Sequence, residues 1–258
     1  MLNAYAEAQS TFKFFWRELS WEKMRIVPAV DMALIKLPFT DGERTDGNPE
    51  YEHMWIDEVN FDGETVSGVL INSPNWVVSV KEGDSVSIPL SHLEDWMMTS
   101  DGKAYGAYTV NVMRAKMNEK ERAAHDQAWD LDFGNPNERR INLYDEKKTK
   151  DGFFSGLLRN NKEKKLNDNS IHEEHPMCIN MLEKIETQLK QDPSVALSVF
   201  EQGFTLLHQH ALAGDFGVVK LLLKYGANPK AKTEKGHTAA DLATSLSWKQ
   251  ISSYVTNI

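Results

Sequence analysis

The sequence predicts an α+β protein: an N-terminal antiparallel sheet with helices, followed by a short all-helical stack of repeats. Three observations carry that expectation. Leu2, Tyr5, Phe12, Phe15, Trp16 and Leu19 line one flank of a helix. Between Glu52 and Trp96 the apolar period drops to two, with glycines at the joints. Near the C-terminus, Gly203 and Thr205 recur as Gly236 and Thr238, each 33 residues on.

The opening helix keeps Lys13, Arg17 and Glu18 mostly off its apolar flank, so another element must cover that flank. AVDMALIKLPF, 29–39, reads as a strand ended by Pro38, and DGERTDGNPE as a turn-rich connection. Breaks at Asp62-Gly63, Ser73-Pro74 and Glu82-Gly83-Asp84 cut the following stretch into four short strands of an antiparallel meander. GAYTVNVMRAKM and NEKERAAHDQAWDLDF read as helices, the second with Asn118 as N-cap and Glu121 as its reciprocal partner. This α+β domain is expected over 1–137.

Residues 138–175 read as a charged, partly flexible linker in which only Phe153, Phe154, Leu157 and Leu158 offer an apolar patch to dock on a neighbouring domain. At its end, HEEHPMC sets His172, His175 and Cys178 at intervals of three, with Glu173 and Glu174 as further oxygen ligands, a set that superficially suits zinc. A zinc-binding helix of the H-E-x-x-H type needs its histidines four apart, Pro176 disfavours helix at His175, and no fourth ligand is evident, so no metal is expected. Residues 176–258 then supply about two and a half to three helical repeats. Met181, Leu182, Ile185 and Leu189 form the apolar face of the first, diverged unit, and Trp248, Ile251 and Tyr254 close the far end.

Composition narrows the function. A formal net charge of −9 disfavours nucleic acid and anionic membranes as partners. The one cysteine cannot form an intrachain disulfide, and no signal-peptide pattern or apolar run of membrane-spanning length is present, so a cytoplasmic location is expected. No Walker loop, G-x-S-x-G elbow, H-E-x-x-H helix or dinucleotide fingerprint occurs, and no cofactor is implied.

Two resemblances sharpen this reading. The segments AYAEAQSTFKFFWRELSWEKMRIVPAVDMALIK, EHMWIDEVNFDGETVSGVLINSPNW, GDSVSIPLSHLEDWM and YGAYTVNVMRAKM, over roughly 1–136, together resemble the bacterial, YegJ-like domains of unknown function DUF2314, a family that implies no activity. The C-terminal unit resembles an ankyrin repeat at Gly203, Thr205, Leu207, His208, Ala211, Gly214, Val219, Leu222, Leu223, Gly226 and Ala227. Leu206 and His210 depart from that signature, standing for a usual proline and alanine. The resemblance implies that His208 is scaffold, tying the turn to the helix entry, and that protein recognition falls to the turns and inner helices. It nominates Phe204, His210, Asp215, Phe216, Lys232, Glu234, Lys235 and His237.

The reading is therefore a non-enzymatic, macromolecule-binding protein that acts through an ankyrin surface and an acidic α+β module. Its narrower form is an immunity protein that neutralises a bacterial toxin, since an acidic surface suits a basic effector. The alternative is an enzyme or small-ligand binder with a polar pocket in the N-terminal domain, drawn from Arg17, His53, Asp57, Asn72, His92, Asp95 and Arg114.

Overall fold

A computed structural model describes residues 1–43, 46–47, 50–144 and 174–258. The chain divides into two compact units, 1–159 and 160–258. Among the described residues no helix is long and apolar enough to cross a membrane. The apolar patch from Phe153 to Leu158, and most of the expected linker, lie outside the described residues.

In the first unit, helix α1 (Leu2–Glu22) precedes six strands: β1 (Met32–Phe39), β2 (Glu52–Phe61), β3 (Thr65–Leu70), β4 (Ser85–Pro89), β5 (Asp95–Ser100) and β6 (Lys103–Gly106). They form one antiparallel sheet in the order β4-β3-β2-β1-β5-β6. Helices α2 (Tyr108–Arg114) and α3 (Glu119–Trp129) follow. The apolar flank of α1 covers one sheet face: Phe12 and Trp16 meet Phe61 edge-on, and Phe15 lies 5.6 Å from Trp96. On the other face Leu34 and Met97 pack with Ala104, Ala107, Val110 and Phe133.

Four details differ from the sequence expectation, each for a local reason. Pro38 does not end β1; it pairs opposite His53, past Lys36, where β5 stops pairing and a missing N–H is tolerated. Val77 and its neighbours form no strand, because side chains take their backbone donors. The Glu52 carboxylate accepts from the N–H groups of Asn75, Trp76 and Val77, and Asp41 accepts from those of Val78 and Ser79. The stretch read as one helix from Gly106 begins as the end of β6 and becomes helix only after Ala107. Residues 138–144, expected in the linker, belong to the first unit: the Arg140 carbonyl accepts from Gly106 N–H at 2.8 Å and the Tyr144 hydroxyl donates to Glu18 at 3.2 Å.

Strand β2 carries a bulge at Glu58, whose φ is +52°. The inserted residue shifts the alternation, so Glu52, Met54 and Ile56 are buried before it and Val59 and Phe61 after it, all toward the interior.

Among the described residues the second unit holds five α-helices: α4 (Pro176–Gln191), α5 (Leu206–Ala213), α6 (Phe216–Lys224), α7 (Ala239–Ser245) and α8 (Lys249–Thr256). The 33-residue period is a period of caps. Thr205 and Thr238 each accept from the backbone N–H three residues on, closing reciprocal capping boxes with His208 and Asp241. Gly203 and Gly236, at φ of +73° and +86°, turn the chain into them.

Candidate functional site

The opening histidine of the repeat is scaffold. His208 is buried; its Nδ1 accepts from Thr205 N–H at 3.0 Å, so its Nε2–H donates to the Ala231 carbonyl at 3.0 Å and ties one repeat to the next loop. Burial depresses its pKa, against the opposing pull of the Ala231 and His237 backbone.

The repeat loops meet in a row. Glu234 N–H donates to the Gln202 carbonyl at 2.9 Å, Phe200 N–H to the Phe204 carbonyl at 2.7 Å, and Thr233 N–H to the His237 carbonyl at 2.9 Å. Backbone bonding leaves the loop side chains to face outward. Lys232, Glu234 and Lys235 are exposed here, His237 is half-buried, and Phe204 is half-buried with its ring edge-on to His208. Phe216 lies on α6 instead, edge-on to Tyr254 with Lys220 above its ring.

Two nominated contacts are corrected. His210 and Asp215 are buried and bonded to each other, Nδ1 to Oδ2 at 2.8 Å, so they present little surface to a partner. The exposed apolar residues of this region are ones the sequence reading passed over. Leu197, Val199 and Phe200 are 57%, 67% and 45% exposed in the segment leading to the first loop. The available signal was three large apolar residues within four positions between a turn and the repeat start, too short a run to separate from packing.

Most of the seven pocket candidates of the first unit serve separate structural contacts. Asp95 is fully buried and receives four hydrogen bonds: from the N–H groups of Trp96, Tyr108 and Thr109 and from the Thr109 hydroxyl, at 2.6 to 2.9 Å. It caps α2 from a neighbouring strand. Burial pushes its pKa up, and the donated bonds pull it back without cancelling the rise. Arg114, also buried, holds Asp126 with two bonds at 2.8 and 2.6 Å and reaches Asn111 and the Gly134 carbonyl. Asn72 accepts from Trp55 N–H and Asp57 from Glu58 N–H. Arg17 is buried over the Phe14 ring, and His92 is exposed on a short 3₁₀ turn.

His53 alone enters an arrangement with chemical potential. Its Nδ1 lies 2.6 Å from Glu94, which is buried, while about two-fifths of the His53 side chain faces solvent (43%). The Tyr5 pKa is raised by burial and by Glu94 beside it. Such a carboxylate orients an imidazole for proton transfer. Among the described residues no hydrogen bond joins the pair to another member of the expected set.

Within the second unit, Cys178 is buried on α4 with its thiol donating to Glu174 at 2.7 Å. Burial, then Asp215 and Glu174, push that thiol well above the usual range, which makes it a poor nucleophile.

Comparison with known proteins agrees with this architecture. The family model for DUF2314, described as an uncharacterized protein conserved in bacteria, matches residues 1–133, and a model of ankyrin repeats in many copies matches 189–243. A Neisseria meningitidis serogroup B protein named for ankyrin repeats is 40% identical over 245 residues, covering 95% of this chain and 88% of that one. The uncharacterized protein YegJ of Escherichia coli K12 is 34% identical over 83 residues, 32% of this chain and 50% of its own. With the first match spanning more than half of the 258 residues and the meningococcal relative nearly all of them, the chain belongs to the bacterial DUF2314 family and carries ankyrin repeats behind that domain.

Proposed function

We propose that this chain is a non-enzymatic binding protein that grips a protein partner with the loop row of its ankyrin stack. The carrying observation is the exposure of Leu197, Val199 and Phe200 in the segment leading to Gln202, whose carbonyl holds Glu234 N–H. Together with exposed Glu201, Lys232, Glu234 and Lys235 on the joined loops, they give a mix of apolar and charged groups suited to a protein interface. The loops are held by backbone bonds, so the surface is organised before a partner arrives. Affinity purification from the native bacterium should recover a partner with the wild-type chain and lose it with Val199→Asp plus Phe200→Asp. Retention of the same partner by that variant would move the grip elsewhere.

The narrower reading is an immunity protein acting in the cytoplasm against a basic toxin. Charge supports it unevenly: residues 1–144 hold 24 Asp and Glu against 14 Lys and Arg, while 174–258 hold eight of each. In this reading the first unit steers a basic effector and the neutral stack grips it. Co-expression with a toxin encoded beside the gene should rescue growth, and rescue should weaken when salt screens the isolated pair in vitro. The His53–Glu94 pair favours the alternative, a small-ligand or catalytic site; that reading predicts an activity or ligand that His53→Ala removes while the fold persists.

A further inference from the structure

Folding brings together three metal-ligating atoms that the chain keeps apart. Glu174 precedes α4, Cys178 lies in its first turn, and Asp215 stands at the head of α6 in the next repeat. The Cys178 sulfur and one carboxylate oxygen from each acid all lie within 4.8 Å of one another. Cys178 and Asp215 are both 0% exposed.

We propose that Glu174, Cys178 and Asp215 bind a zinc ion inside the ankyrin stack, with His210 as the outer partner that orients Asp215. The donor set carries the choice of metal. A thiolate selects against magnesium and calcium, and one sulfur with two carboxylate oxygens suits a tetrahedral zinc with its fourth position left to water. Zinc–sulfur and zinc–oxygen bonds of about 2.3 and 2.1 Å put those atoms about 3.5 Å apart, so small side-chain rotations close the site.

The surroundings match what a metal site needs beyond its ligands. Both Glu174 oxygens accept from Gly217 N–H, at 3.0 and 3.2 Å, and Asp215 Oδ2 is 2.8 Å from His210 Nδ1. Outer partners of this kind fix the orientation of carboxylate ligands. Asp215 occupies the N-cap position of α6 yet makes no capping bond there; Glu174 meets that helix's N–H instead, and Asp215 turns inward. Gly217 also lets α4 and α6 approach closely, since a Cβ there would stand 2.8 Å from Leu182. His175 is no ligand in this scheme: its Nδ1 accepts from Met177 N–H as the cap of α4. The HEEHPMC spacing could not show this set because its third protein ligand, Asp215, comes from the following repeat.

The test uses the full chain, stripped with a chelator under reducing conditions and titrated with cobalt(II), then with zinc(II). One cobalt per chain should bind and give a thiolate-to-cobalt charge-transfer band, which zinc should abolish by displacement. Cys178→Ser should lose the band while keeping the wild-type circular dichroism, and His210→Ala should weaken binding by about 10–100-fold. A folded wild-type chain with no such band overturns the proposal, whatever the variants do. So does a Cys178→Ser chain that keeps the wild-type metal content.

Discussion

Trp96 in the sheet unit and Trp248 in the repeat stack are held by the same device. Each indole is buried, each Nε1–H donates to a helical carbonyl at 3.1 Å (Ala8 and Leu212), and each ring lies against a glycine of positive φ, Gly106 at +72° and Gly214 at +84°. A Cβ at either glycine would stand about as close as a covalent neighbour's neighbour, 2.4 Å from the Trp96 carbonyl oxygen or 2.5 Å from the Trp248 ring. The difference is reach. Trp96 joins α1 to β5 and the start of α2 across 88 residues, whereas Trp248 joins neighbouring repeats 36 residues apart. A sheet unit is closed by contacts distant in sequence, and a repeat stack by contacts that recur.

The tryptophans are where that comparison breaks most visibly. Trp96→Ala and Trp248→Ala should each cost about 3–5 kcal/mol, the range for a large buried aromatic. Segment-resolved hydrogen exchange should show deprotection spreading through α1, β1 and β5 in the first case and through α5, α7 and α8 in the second. Protection lost only at the mutated strand for Trp96→Ala would mean that the indole is not what closes the sheet unit.

That difference in reach also explains what the sequence revealed. The stack was legible in detail, since Gly203, Thr205, Gly236 and Thr238 repeat, and both capping boxes stand where the period put them. In the sheet unit, α1, the turn at Asp62-Gly63 and the Asn118 capping box were legible because each is written within a few residues. The strand expected around Val77 failed because Glu52 and Asp41, distant in sequence, take its backbone donors. Asp95 read as a possible pocket acid, and its part in capping α2 depends on Tyr108 and Thr109, 13 and 14 residues on. In the candidate binding surface, Lys232, Glu234 and Lys235 were readable from loop position. His210 and Asp215 were misplaced because their mutual bond, five residues long, turns both inward.

The glycines come next in size. Gly106→Ala and Gly214→Ala combine a left-handed backbone with a steric clash and should each cost about 2–4 kcal/mol. Gly236→Ala shares the positive φ but has open space where its Cβ would point, so it should cost about 1–2 kcal/mol. Denaturant midpoints at constant slope would measure all three. Equal losses at Gly236 and Gly214 would show that backbone conformation, and not the seat for Trp248, sets the cost.

Smaller again are the caps. Thr238→Ala should cost about 1 kcal/mol, a typical N-cap loss, because its partner Asp241 is exposed and water can replace the bond. Thr205→Ala should cost more, about 2 kcal/mol, since its partner His208 is buried and loses a local contact inside the stack. Similar midpoints for the two variants would place the His208 ring outside the cooperative packing.

The gentlest way to separate the units is acid. His208 has a folded pKa below its ordinary 6.5, so between that value and its folded pKa the unfolded chain binds the extra proton and the folded one does not. Stability of the stack therefore falls as pH drops below about 6.5. In the sheet unit the sign is the same but the window lies lower. Against opposing burial, Arg114 holds Asp126 low, Arg140 and Gly134 N–H hold Asp132 low, and three backbone N–H groups hold Glu52 low. Their contribution is present above ordinary carboxylate values, about 4, and is lost only as pH falls through the lower folded ones. Asp95 runs the opposite way: its raised pKa means that protonation relieves a burial cost, so it resists acid unfolding of the same unit. Hydrogen exchange followed from about pH 7.5 to 5 should thus loosen α5 and α7 while α1, β1 and β5 hold. A His208→Gln chain should lose that early step, and an acid-sensitive stack that keeps it would assign the titration to another group.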